Sequence, residues 1–488
     1  MWLLTDSDRE KDDPDVVVDS RPLGRVLLSR SYRWLAFIGL GLLFWILLAW
    51  PTPAGLTVDG QRALAAFVIC LILWLTRLIP LAVTSLLAIT LIQLLGVMES
   101  GEAFALFGNQ AVFFILGAFI LAAALMKTGL SSRIALFFLS KFGGSPKQLL
   151  LGALIVPAFL SFWMPEHAVA AMLFPIIIEI VRALRTKPRT GNFGHAIFLS
   201  LAWGAAIGGV GTFLGGARNA LAVGILKQTT GQFIGFFEWM IAVVPMVFAM
   251  LIIAYFVINR FFPSDIDSVE EAVDVLKKRN KQMGKPSIEE RMVGLIMLLT
   301  VAAWVFLGSA VELASIAIVA VVSLFVFQLV KWRDLEGYVN WGIILMYGGA
   351  IALGFALEDT GAAAWLAQVL ITRWTTSPMI IIIVLAFISI LLTEGMSNAA
   401  VVAMLVPVGL GIADTHGIDP RVIVFAIAVP AGLGFAIPMG NPPNAIAYSS
   451  GYIDPKRMLK VGLLLDLCAW VVFVLMAKYY WPLINIRI

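Results

Sequence analysis

Long apolar runs, each closed by a short polar or basic stretch, recur along the chain from residue 34 to residue 482. A helix needs about 20 such residues to cross a hydrocarbon core about 30 Å thick. The pattern predicts eleven crossings, at roughly 34–50, 61–76, 79–98, 111–127, 194–227, 237–260, 292–308, 312–331, 341–358, 421–450 and 458–482. Two further runs, 148–180 and 378–412, are too long for one crossing and carry polar residues at their middles. Interrupted backbone at membrane depth survives only where protein or a wet cavity covers it, so each is predicted to be a re-entrant hairpin. Counted from a cytoplasmic N-terminus, this choice keeps Arg182, Arg185, Lys187 and Arg189 inside, together with Lys456, Arg457 and Lys460. Basic residues are expected in excess on that side.

One sizeable hydrophilic stretch interrupts the pattern, at 264–290, with Val269, Val273 and Leu276 on one helical face. It reads as a cytoplasmic linker. The expected organisation is a cytoplasmic tail (1–33), a first half (34–263) with hairpin 148–180, the linker (264–290), and a second half (291–488) with hairpin 378–412. The halves match. Gly117-Ala118, Leu121, Ala124-Leu125 and Thr128-Gly129 recur as Gly349-Ala350, Leu353, Ala356-Leu357 and Thr360-Gly361, an offset of 232. The same offset carries Met164, Ala168-Val169, Ala171-Met172-Leu173 and Pro175 onto Met396, Ala400-Val401, Ala403-Met404-Leu405 and Pro407. Five crossings lie between the hairpins, an odd number, so the second copy is expected to be inverted. Inverted repeats with paired broken segments are the signature of alternating-access carriers.

Composition narrows the classes. With 61% hydrophobic and 13% charged residues and a mean hydropathy of +0.96, the chain cannot build a water-facing surface all round. The net charge of +4 lies in short loops between apolar runs and does not point to nucleic acid. The acidic start (Asp6, Asp8, Glu10, Asp12, Asp13) lacks the basic region of a signal peptide, and Arg21, Arg25, Arg30 and Arg33 place it in the cytoplasm. Cys70 and Cys468 lie within apolar runs, as packing residues do. No H-E-x-x-H or G-x-S-x-G constellation is present, so no enzyme and no organic cofactor is expected. A channel would show a filter rather than two inverted halves.

The candidate chemistry lies where each half breaks a second time. Gly208-Gly209-Val210-Gly211 runs on to Gly215-Gly216-Ala217-Arg218-Asn219, and Gly432-Leu433-Gly434 to Pro438-Met439-Gly440-Asn441-Pro442-Pro443-Asn444. Glycine and proline at this density end a helix. Helix N-termini at such breaks suit an anion, and freed carbonyls suit a sodium ion.

Thr76-Arg77-Leu78-Ile79-Pro80, Thr393-Glu394 before Ser397-Asn398, and Asn441-Pro442-Pro443-Asn444-Ala445-Ile446 together resemble the divalent-anion:sodium symporters of the dicarboxylate, citrate and sulfate type, over about residues 60–485. The resemblance implies an all-α polytopic membrane protein of the inverted-repeat elevator type, with eleven transmembrane helices and two re-entrant hairpins. It further implies a homodimer in a bacterial-type inner membrane, carrying a small anion, a dicarboxylate first, between two hairpin tips. The substrate residues it implies are Glu166, His167, Asn219, Asn398, Ala399, Asn441, Pro442 and Asn444. Sodium would meet Thr393, Ser397, Asn398 and the backbone at Gly440. The family carries Ser-Asn-Thr at each tip and Thr-Pro-Pro-Asn at each break. Here the first tip is Pro165-Glu166-His167, its break reads Gly216-Ala217-Arg218-Asn219, and the second tip ends in Ala399.

A lone buried Glu166 would repel an anion and cost several kcal/mol. Arg218 is therefore expected to pair with it and to replace the first sodium ion. That leaves at most one family-type sodium site. The alternatives are a sodium-independent or proton-coupled exchanger, or a carrier of sulfate or another solute. Glu394 is expected to orient the second tip and Asp466 to line the packing of the last helix. His195 and His416, near segment ends, are expected at the surface.

Overall fold

Among the described residues every regular element is a helix, as backbone that must satisfy its own hydrogen bonds in lipid requires. The computed structural model describes residues 23–308, 310–371 and 377–486. They belong to two units, 1–51 and 52–488. In the first, α1 spans Leu23–Ala49. It starts at Leu23, so the tail expected over 1–33 ends sooner, and its acidic residues lie outside the described ones. Helix continues through Arg25, Arg30 and Arg33.

The second unit opens with a run of ten helices: α2 (Val58–Thr76), α3 (Leu81–Leu94), α4 (Ser100–Ala105), α5 (Gln110–Thr128), α6 (Leu130–Leu139), α7 (Pro146–Leu160), α8 (Glu166–Ala183), α9 (Asn192–Gly209), α10 (Ala217–Thr230) and α11 (Phe236–Phe261). The linker forms α12 (Glu270–Gln282), with Val269, Ala272 and Leu276 buried on one face. Arg279 of α12 grips Glu179 of α8 with two hydrogen bonds, and Arg133 of α6 donates to Glu290 at 2.7 Å. Then come α13 (Ile288–Leu307), α14 (Leu313–Val326), α15 (Trp332–Glu336), α16 (Trp341–Asp359), α17 (Ala362–Ile371), α18 (Pro378–Gly395), α19 (Asn398–His416), α20 (Pro420–Ala428), α21 (Pro442–Tyr448) and α22 (Pro455–Leu475).

The order of α13–α22 repeats that of α2–α11. α3 and α14 begin at 81 and 313, and α8 and α19 at 166 and 398, the offset of 232 read from the sequence. The copies exchange partners: α3 packs on α16 and α14 on α5, while α10 packs on α19 and α21 on α8. One contact makes this concrete. A Cβ on Gly117 would come within 2.7 Å of Ala317, and a Cβ on Gly349, its repeat mate, would overlap Ser85, the mate of Ala317. Small residues at helix crossings let backbones close in where lipid supplies no hydrophobic drive. Gly204 and Gly208 do the same on α9, lying against the backbone of Leu154 and Ala158 on α7.

Both arms of each hairpin rest on one helix, α7 and α8 on α9, and α18 and α19 on α20. Among the described residues, eight helical stretches are long and apolar enough to cross a membrane. α3 and α14 have 14 residues each, about 21 Å of helix, so the crossings expected at 79–98 and 312–331 are shorter than the apolar runs that suggested them.

His195 corrects an expectation. It is fully buried, not at the surface: its ring stacks on Phe262 at 5.3 Å and its Nε2 accepts the Asp454 N–H at 2.6 Å. The N-terminus of α22 folds over it, a tertiary contact that proximity to a segment end does not reveal. His416 is half-buried, with Nδ1 2.9 Å from Thr415 Oγ1. Cys70 and Cys468 are free thiols.

Candidate functional site

Two tips and two breaks converge. At the first tip, Pro165 precedes α8, whose opening N–H, that of Glu166, donates to Gly215 O in the first break at 2.9 Å. At the second, Ser397 caps α19 by accepting the Ala400 N–H at 3.2 Å. The breaks leave carbonyls without helical partners, and one asparagine closes each. Asn219 Nδ2 donates to the carbonyls of Gly209 (3.1 Å) and Thr212 (2.7 Å), and Asn444 Nδ2 to that of Gly434 (3.0 Å).

Arg218, in the first turn of α10, donates from Nη1 to Glu166 Oε1 at 2.8 Å and from Nη2 to Oε2 at 3.2 Å. The two side chains are 3% and 5% exposed. Burial of a full charge pair is sustainable only in such a two-point geometry. Glycines make room for it: a Cβ on Gly209 would overlap Glu166 Oε2, and one on Gly432 would overlap the Arg218 guanidinium. With the Asn398 amide oriented to satisfy its neighbours, its nitrogen donates to Thr393 Oγ1 (2.7 Å) and Gly440 O (3.0 Å). Its oxygen then accepts from Arg218 Nη1 at 3.3 Å. Arg218 thus touches both tips.

Beside this pair lies a cavity of about 350 Å³. Its polar lining comes from Glu166, His167, Arg218, Asn340, Ser397 and Asn398, and Ala399 and Pro442 also face it. Pro80, Leu81 and Ala82 at the start of α3 and Gly342, Ile343 and Met346 on α16 also line it. His167 meets the edge of Phe119, ring centres 6.4 Å apart.

The expected site residues therefore divide. Glu166, His167, Arg218, Ser397, Asn398, Ala399 and Pro442 come together at the cavity. Thr393 and Gly440 stand behind Asn398, with Thr393 Oγ1 also 2.8 Å from Ala431 O. Asn219, Asn441 and Asn444 are buried away from the cavity lining. Sequence reasoning did not anticipate Asn340, which caps α16, or the glycines that flank the ion pair. Asp466 does more than line packing, since it accepts the Phe435 N–H at 2.9 Å.

A family model described as the sodium:sulfate symporter transmembrane region matches residues 31–486. The sodium-dependent dicarboxylate transporter SdcS of Staphylococcus saprophyticus is 30% identical over 483 residues, with 93% of each chain covered. SdcS of Staphylococcus aureus is 29% identical, with 91% of this chain and 90% of that protein covered. Among solved structures, Neisseria gonorrhoeae MtrF, of a class of antimetabolite efflux pumps, superposes with a TM-score of 0.53 at 13% identity, over 75% of this chain and 80% of its own. The Alcanivorax borkumensis YdaH transporter gives 0.51 at 14%, over 78% and 88%. At such identities these two speak for an all-helical membrane-transporter fold alone. The chain is an integral membrane protein and belongs to the divalent-anion:sodium symporter family, whose members are transporters and not enzymes.

Proposed function

We propose that this chain is a secondary active carrier that holds a small dicarboxylate in the cavity between its two tips and moves it by alternating access. The observation that carries the reading is the convergence of both tips and the N-termini of α8, α10 and α19 on one cavity. Free N–H groups and the positive ends of helix dipoles favour an anion there. A cavity of about 350 Å³ has room for a compact solute. Glu166 and Arg218 cancel, so His167, Asn398 and the helix ends are left to meet the substrate's charge, while Asn219 and Asn444 position the breaks behind them.

The same reading assigns the coupling ion. Beside Glu166 the place of a cation is taken by the Arg218 guanidinium. At the second break Thr393 Oγ1 and the carbonyls of Ala431 and Gly440 surround one end of the Asn398 amide, and with the amide turned so that its oxygen takes that end the four oxygens would serve one sodium ion. At most one sodium is then carried per cycle. Uptake of labelled dicarboxylates and sulfate into proteoliposomes, with sodium and pH gradients varied separately, is the test. Dicarboxylate uptake rising with sodium at a Hill coefficient near one is expected, and a coefficient clearly above one would count against the Arg218 assignment. A second reading, sodium-independent exchange, is favoured by the Asn398 orientation that closes the second-break oxygens on themselves. It predicts uptake that depends on internal substrate and ignores sodium.

The resemblance extends the proposal to a homodimer in the inner membrane with a cytoplasmic N-terminus, re-entrant hairpins in inverted halves, and elevator movement. In a background with Cys70 and Cys468 replaced by alanine, single cysteines at Thr186 and Lys456 are expected to react with impermeant maleimide from the cytoplasm, and one at Thr415 from outside. Labelling of position 186 from outside only would rule out a re-entrant first hairpin.

A further inference from the structure

The two breaks are held by unlike chemistry. Neutral groups close the first: Asn219 donates to its carbonyls, Thr212 Oγ1 accepts the Gly215 N–H, and Trp239 Nε1 donates to Val210 O at 3.0 Å. In the second, three consecutive N–H groups go to carboxylates from two helices. Asp466 Oδ1 of α22 accepts from Phe435 at 2.9 Å. Glu394 of α18 accepts from Ala436 (Oε1, 3.0 Å) and from Ile437 (Oε2, 2.6 Å). Glu394 is 7% exposed and Asp466 6%. Asp466 Oδ2 meets no N–H donor, the Glu394 and Asp466 carboxyl groups lie within hydrogen-bond reach of each other, and among the described residues neither forms an ion pair with a basic side chain. A run of backbone N–H groups is a natural cradle for an anion. Acidic groups at membrane depth without a counter-charge mark ion pathways by default.

Their position gives them a task. Glu394 follows Thr393, and a Cβ on Gly440 would stand 2.8 Å from Thr393 O and 3.0 Å from Glu394 Cα. A Cβ on Gly434 would stand 3.0 Å from Glu394 Oε1. The backbone of Thr393 and Glu394 therefore packs against Gly440, and the Glu394 carboxylate against Gly434. The first half holds one positive and one negative group that cancel, whereas the second holds acidic groups alone. We propose that Glu394 and Asp466 are positioning residues for a monovalent cation at the second break. They fix the backbone of residues 435–437, which leads to the Gly440 carbonyl, and supply the negative field that draws the cation. The inference rests on the reading that the coupling sodium lies at Thr393, Asn398 and Gly440.

The test uses the full-length protein with Asp466→Asn, Glu394→Gln and Asp466→Glu. An amide oxygen still accepts the N–H bonds, so the first two variants change the charge and proton content of the pair with little change of shape. Thermal unfolding in detergent is followed against sodium, with choline holding ionic strength constant, and sodium-dependent uptake is measured beside it. The half-saturating sodium concentration is expected to rise about tenfold or more in both amide variants, the scale of one charge a few ångströms away in a protein interior. Asp466→Glu should recover part of the shift, and uptake lost at low sodium should return as sodium is raised. Unshifted half-saturation, with or without a lower maximal rate, would reduce both residues to structural groups and overturn the proposal. A wild-type protein whose unfolding and uptake both ignore sodium would instead remove the cation reading itself, and this inference with it.

Discussion

Arg218→Ala and Glu166→Gln are each expected to destabilise the protein by about 3–5 kcal/mol, and the double variant to lose clearly less than the sum. The reason is the geometry of the pair. Both side chains are buried to 5% exposure or less, and they share two hydrogen bonds. Removing either partner strands the other where it is almost wholly buried. Removing both leaves neutral groups that bear no such cost. A double-mutant cycle on thermal unfolding in detergent reads the coupling directly. Strictly additive losses would mean that the contact carries no energy, and His167, which also lines the cavity, would become the leading charge-bearing group. Uptake is expected to stay low in the double variant, because the guanidinium that reaches both tips beside the cavity is gone. If the guanidinium stands in for a cation, Arg218→Ala also leaves a carboxylate facing a cation-sized space. Added sodium is then expected to restore part of that variant's stability and none of Glu166→Gln's.

This pair was legible in the sequence because its cost is chemical: a glutamate at a helix break in apolar surroundings calls for a partner, and the repeat placed Arg218 at the neighbouring break. The repeat itself was legible for a similar reason. Glycines such as Gly117 and Gly349 are held in register by close backbone contacts, so their spacing survives where apolar residues interchange. The short helices α6 and α17 left no such mark. Ten residues each, they follow glycines with φ of +85° and +71° and fall between the predicted spans and hairpins. Asn219 and Asn444 were recognised as important, but as substrate ligands. Their direction could not be read, because an amide near an unwound segment can face a cavity or sew the backbone, and only the fold decides. His195 was misplaced for a related reason. Being near a segment end says nothing of what folds over it, here the residues leading into α22. Asp466 was undervalued because its partner N–H at Phe435 lies 31 residues away along the chain, in backbone whose unwinding frees the group.

Two glycine substitutions, Gly208→Ala and Gly432→Ala, are expected to fail in different ways. On Gly208 a Cβ would overlap Ala158 O and stand 2.5 Å from its Cα. Those atoms belong to the backbone of α7, which cannot turn aside, so α7 and α9 must part and the first tip loses its support. Overpacking of this kind costs about 1–3 kcal/mol when side chains can adjust, and more is expected when only backbone can yield. Gly208→Ala should therefore show a large fall in thermal stability and little folded protein. On Gly432 the obstacle is the end of the Arg218 side chain, with Cζ 2.5 Å from the added Cβ. The guanidinium can swing away, but only by giving up its bidentate hold on Glu166 and its approach to Asn398. Gly432→Ala is expected to fold, to lose stability on the scale of Arg218→Ala, and to lose most uptake. Gly395→Ala is the control, since a Cβ there meets nothing within 4 Å although it lies next to the second tip. If Gly432→Ala unfolds and transports like Gly395→Ala, the site accommodates a displaced guanidinium, and the two-point contact with Glu166 is not what holds the tips together.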